Sequence, residues 1–242
     1  MPPRPQPLPP AERTIGQLVA ETIRLYGDNF WRVLPLGLVL AGANQISFDR
    51  SVTVQALVLV AATPFLTGAY LAACRIALGA RPTLTAFAIG CLVFLPVAGL
   101  TLIYVFPGLA WLALFGLAVP AATVERLGPR AALVRGFRLG TADFVHALGS
   151  IATLVILFGL TRIMLAIVLQ TQGDNELRVA LFLADLVVSP IVFLGAALLY
   201  VDQEARVGES RRAKRVPRRS RANVRDADDA HRPGRPDTEV EP

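Results

Sequence analysis

Histidine, cysteine and methionine are almost missing from this chain, at two of each in 242 residues. His146 and His231 stand far apart with no carboxylate cluster beside them, which argues against a histidine-built metal site. Cys74 and Cys91 both fall inside apolar runs and read as small packing residues, not as a disulfide framework. There is no G-x-S-x-G elbow, no Walker loop and no H-E-x-x-H pair. With so few reactive groups, neither a catalytic residue set nor a cofactor is expected, and the chain does not read as an enzyme. The proline-rich opening has no apolar core of the signal-peptide kind, so insertion by an uncleaved first span is expected. Charge is scarce too: only 17% of residues are Asp, Glu, Lys or Arg.

What fills the chain is apolar: 54% hydrophobic residues and a mean hydropathy of +0.53. That is too apolar for an ordinary soluble domain and is spread over many segments. The fold class expected is all-α, a polytopic membrane protein with six transmembrane helices, cytoplasmic amphipathic helices and disordered termini. Spans are expected at about residues 31–48, 52–78, 86–106, 109–124, 144–172 and 177–201. Residues 1–13 form a proline-rich arm and residues 14–206 the membrane domain. Residues 207–242 form a tail, basic then acidic, expected to be disordered. Pro64 is expected to kink its span, Pro120 to bend and Pro190 to break theirs, Pro96 falls inside the third, and Pro107-Gly108 is expected to form an external turn.

The stretch 119–144 organises the rest. An apolar run ends at Glu125-Arg126, Gly128-Pro129 forces a turn, and proline opens a new helix. Leu133, Val134 and Phe137 share one face of it, with Arg130, Arg135 and Arg138 largely off that face. A helix of this kind lies in the lipid interface. Residues 14–26 read the same way. Thr14 and Gln17 form a capping box, Ile15, Leu18, Val19, Thr22, Leu25 and Tyr26 make the apolar stripe, and Gln17, Glu21, Arg24 and Asp28 face away. Arg24-Leu25 before Phe30 and Arg138-Leu139 before Phe144 repeat at an offset of 114, with residues 82–94 as a possible middle copy. Gly37 and Ala41 offer a small-xxx-small contact face.

Arginines fix the topology. Arg4, Arg13, Arg24, Arg32, Arg75, Arg81, Arg126, Arg130, Arg135 and Arg138 fall on one side, against Arg50 and Arg178 on the other. The positive-inside rule then puts both termini in the cytoplasm. Glu125, Arg130, Arg135, Arg138, Asp202 and Arg206 form the candidate cytoplasmic interface. Its bland reading is a topology anchor; its sharper reading is a headgroup or partner surface. Asp202 and Arg206, four apart, can pair on one face. Glu125 is expected to pair with an arginine. The basic tail block from Arg211 to Arg221 would be drawn to anionic lipid, and with no interleaved aromatics it does not read as a nucleic-acid site.

Two charges fall well inside spans, Arg162 and Asp185, at similar depths from the turn between them. They are expected to pair across the hairpin, as a structural lock or as part of a transport path. Asn44 and Gln45 read as helix-end polar groups.

Three segments carry a family resemblance: LVAETIRLYGDNFWRVLPL, PAATVERLGPRAALVRGFRLGTADFVHALGS and LLYVDQEARV. They resemble landmarks of the bacterial glycerophosphoryl diester phosphodiesterase membrane-domain family. The loop landmark falls on Pro120, Glu125, Gly128, Pro129, Ala132, Leu133 and Arg135. The terminal landmark falls on Leu199, Tyr200, Asp202 and Arg206. The resemblance implies a six-helix module in a bacterial inner membrane. It does not carry over the phosphodiesterase activity, because the separate soluble domain is missing. A non-catalytic scaffold or lipid-associated partner is then expected, with anionic lipids and another membrane protein as candidate partners and no nucleic acid. A transporter, or a membrane subunit of a lipid or glycerophosphodiester enzyme, are the alternatives.

Overall fold

The computed structural model describes residues 9–103, 105–171 and 173–215. The proline arm of residues 1–8 and the tail from 216 lie outside them. The chain divides into two units, Met1–Val207 and Gly208–Pro242. In order, the helices are α1 (Ile15–Asp28), α2 (Phe30–Val33), α3 (Gly37–Ser47), α4 (Val52–Leu78), α5 (Leu84–Ile103) and α6 (Val105–Phe115). They are followed by α7 (Ala118–Val124), α8 (Pro129–Ala142), α9 (Phe144–Val168) and α10 (Asp174–Arg215). No strand occurs among the described residues. Four helical stretches are long and apolar enough to cross a membrane: Val52–Leu78, Val105–Val124, Phe144–Val168 and Asp174–Ser210.

The proline expectations are corrected in several places. The first expected span is not one helix: Pro35 sits in a 3-10 turn, Leu34–Leu36, that splits α2 from α3. At 11 residues, α3 is about 16 Å long, half a hydrocarbon core. Pro107 and Gly108 lie in the first turn of α6, not in a loop, because the opening amides of a helix need no intrahelical partner. The run 109–124 breaks at Gly116-Leu117, ahead of Pro120, and α10 continues through Pro190.

Proline inside a helix frees the carbonyl four residues earlier, and the bundle uses two of these. Pro120 frees Gly116, and the Tyr70 hydroxyl from α4 donates to the Gly116 carbonyl at 3.3 Å. Pro190 frees Leu186, and Gly37 of α3 lies directly against that peptide group, with no room for a Cβ. In the turn before Pro96, the Val93 carbonyl accepts the Trp111 indole N–H at 2.9 Å, which ties α6 back onto α5.

The two lead-in helices are built alike. In α1, Thr14 and Gln17 exchange both capping-box bonds, and Leu18, Thr22 and Tyr26 are buried. Burial also pushes the Tyr26 phenol above its ordinary pKa. In α8, proline at the first turn follows Gly128, and the buried residues are Ala132, Gly136, Leu139 and Gly140. Buried positions 18, 22 and 26 thus coincide with 132, 136 and 140 at the same offset of 114, and Asn29 and Asp143 cap the next helices before Phe30 and Phe144. The middle copy has no such lead-in: Thr83 caps α5 directly by accepting the Ala86 amide at 3.1 Å. Val134 and Phe137 stay exposed, while Gly136 and Gly140 press on the backbone at Ala118 and at Ala113-Leu114. Close backbone approach needs glycine there, so the small-residue face is the one that docks.

Gly37→Ala should force α3 off the Leu186 peptide and destabilise the protein by about 1–3 kcal/mol, as overpacking does. Gly42→Ala, where an added Cβ meets open space, should be neutral or slightly stabilising. Thermal unfolding of both variants in detergent checks the contrast.

Candidate functional site

Two polar clusters sit toward opposite ends of α9 and α10. The first joins segments remote in sequence. Arg13, just before α1, reaches Asp202 on α10 with Nη1 at 3.1 Å from Oδ1. Arg206, one turn further on α10, donates to the Arg13 carbonyl at 2.7 Å and to Asp143 Oδ2 at 2.8 Å. Asp143 in turn caps α9 by accepting the His146 amide at 3.1 Å. Arg206 also lies 3.4 Å from His146 Nδ1, and the Gln203 amide donates to the Asp143 carbonyl at 3.2 Å. Beside this group, Glu125 Oε1 accepts from Arg135 Nε at 2.8 Å and from the Tyr200 hydroxyl at 2.9 Å. Glu204 lies 3.7 Å from the same arginine.

The start of α1, the α7–α8 junction and the start of α9 are therefore all tied to residues 200–206 of α10. At its centre Asp202 and Gln203 are fully buried. Asp202 and Arg206 were expected to pair along their helix; instead each takes a partner from another segment, because both side chains point into the junction. Asp202 belongs to the interior and not to an exposed face. Glu125, Arg135 and Arg206 are likewise held by protein partners. Arg130 and Arg138 remain exposed. They line a shallow cleft of about 520 Å³ with Glu125, Leu127, Val134 and Arg135. Arg126 closes the turn beside it in a left-handed backbone conformation, φ 52°.

The second cluster is small. Arg162 on α9 and Asp185 on α10 form an ion pair through Asp185 Oδ2. The same oxygen accepts the Asn44 amide from α3 at 2.8 Å. Asn44 is thus the third member of the cluster and not a free helix-end group, as read from sequence. Asp185 is 1% exposed, whereas the Arg162 side chain is 27% exposed. Near the same end, the Arg178 guanidinium lies 4.7 Å over the Phe48 ring.

Sequence reading missed Arg13, Asp143, Tyr200, Gln203 and Asn44 as members of these clusters. Tyr200 and Asp143 carried a signal, the first inside the terminal landmark and the second as a helix cap. Asn44, 141 residues from Asp185, carried none. Among the described residues no group of three or more His, Cys, Asp or Glu could hold a metal ion. Compared with family models, curated proteins and solved structures, the chain matches none.

Removing one partner of a buried ion pair strands the other charge, at a cost of about 3–5 kcal/mol, while removing both does not. Arg162→Gln and Asp185→Asn should therefore each destabilise more than the double replacement. A double-mutant cycle of unfolding free energies reads the coupling.

Proposed function

We propose that the protein is a non-catalytic, multi-pass inner-membrane protein of bacterial type, a scaffold whose arginine-bearing end rests on anionic lipid. In this reading six segments cross the bilayer: α2 with α3, α4, α5, α6 with α7, α9, and α10. Both termini are cytoplasmic. The helices α1 and α8 lie at the cytoplasmic interface. Val134 and Phe137, exposed on α8 beside Arg130 and Arg138, suit a helix half-sunk among headgroups. The resemblance of the three landmarks to the phosphodiesterase membrane-domain family supports the same module.

One observation carries the reading. The landmark residues Glu125, Arg135, Tyr200, Asp202 and Arg206 are spent on each other and on Arg13 and Asp143. This leaves Arg130 and Arg138 as the outward cations of the α8 cleft. A network that ties these segments together fixes the ends of helices. Each outward arginine near an anionic surface is worth about 1 kcal/mol.

A transporter reading draws on Arg162 and Asp185. It needs a polar route between the two clusters. The space between them is bordered by Leu154, Phe193, Ala196 and Leu112, in a cavity with almost no polar wall. That arrangement favours the scaffold.

The test is thermal unfolding in nanodiscs of neutral lipid and of lipid with an anionic fraction. The wild type should gain a few degrees in anionic discs, the gain should fall with added salt, and Arg130→Gln with Arg138→Gln should remove most of it. Equal stability of the wild type in both kinds of disc would overturn the headgroup reading.

A further inference from the structure

Two buried oxygens near the second cluster have no hydrogen-bond partner in the protein. They are Asp185 Oδ1 and Ser189 Oγ, on residues 1% and 0% exposed. Leaving such groups unsatisfied costs about 1–3 kcal/mol each. They stand four residues apart on α10, so they share a face, with Cβ atoms about 6 Å apart. Ser189 lines a cavity of about 230 Å³ between α3, α4, α5 and α10, whose other walls include Leu40, Leu59, Leu66, Phe94 and Val192. A second apolar cavity of about 70 Å³ shares the Phe94 and Val192 walls, on the side toward α9. The chamber is thus a hydrocarbon-lined space with a polar end at Ser189.

We propose that this chamber binds a neutral, hydroxyl-headed lipid of one hydrocarbon chain, its hydroxyl at Ser189 and Asp185. The chemistry selects the head. A hydroxyl donates to Asp185 Oδ1 and accepts from the Ser189 hydroxyl, so a single group satisfies both atoms. An ammonium would add an uncompensated charge, because Arg162 already balances Asp185. A carboxylate or phosphate would meet the Asp185 carboxylate. The chain follows from the walls: apolar cavities of this kind stay dry and take apolar guests, and mostly apolar pockets with a few placed polar groups are the ordinary form of a ligand site. A water molecule could bridge the two oxygens, but it would leave the hydrocarbon walls without contacts. The proposal does not depend on the arginine face of α8.

The experiment is thermal unfolding of the full chain in detergent with 1-decanol, decane, decylamine or decanoate at equal concentration. Decanol should raise the midpoint by about 4 °C, and the other three should not. Ser189→Ala should abolish the difference between decanol and decane, and Val192→Phe, which fills the chamber, should abolish the decanol shift. If Val192→Phe does not fold, the conservative Ser189→Ala decides alone. Equal shifts for decanol and decane would show unspecific partition. A decanol preference unchanged in Ser189→Ala would place the hydroxyl elsewhere, and no shift with any probe would leave water as the occupant. Each of these three results overturns the proposal.

Discussion

Hydrogen-bonding groups inside an apolar bundle are costly without partners, and several of the helix contacts supply them. Water offers no alternative in a hydrocarbon layer, where each unsatisfied group costs several kcal/mol. Proline creates the sharpest instances. The carbonyl that Pro120 releases is taken by Tyr70, which ties α4 to the α6–α7 break. The peptide that Pro190 releases is covered by Gly37, which brings the short α3 onto α10. With α3 so placed, Asn44 is about two turns further along the same helix, in reach of Asp185. The close backbone approach at Gly37 and the Asn44–Asp185 bond therefore belong to one helix crossing.

The same requirement shapes the opposite end. Asp202 is fully buried and is tolerable there because Arg13 comes to it, and Arg206 binds the Arg13 carbonyl and Asp143 at once. Residues 189 apart in sequence are thereby tied at the start of α1. A buried pair of this type adds little net stability over an apolar one. What it contributes is position: it fixes where the first helix enters and where the last leaves. Between the two polar ends lies a layer of Leu154, Phe193 and Ala196. Those apolar walls offer an ion no polar partner, which supports the proposed scaffold over a conduit.

Much of the helical plan was legible in the sequence, for reasons that are local. Thr14 with Gln17, and Gly128 with Pro129, mark helix starts through capping and ring geometry, which no tertiary contact alters. Apolar runs mark the long helices because length and composition suffice. Other features depend on which atoms meet across the bundle. The face of α8 that docks is set by backbone approach at Gly136 and Gly140, which the large apolar residues of the helix do not reveal. The partners of Asp202 and Arg206 lie on other segments, so a four-residue spacing pointed to the nearer and incorrect pair. Asn44 joined the second cluster through the α3–α10 crossing, which no spacing within its own helix encodes.

The central claim is that the charged groups lock a packed, non-conducting bundle. The most direct measurement is flux through liposomes containing the purified protein, with ions and small glycerophosphodiesters as probes. The account predicts flux no greater than that of empty liposomes, for the wild type and for Asp185→Asn alike. Flux in the wild type that disappears on Asp185→Asn or Arg162→Gln would contradict it and make the second cluster part of a transport path.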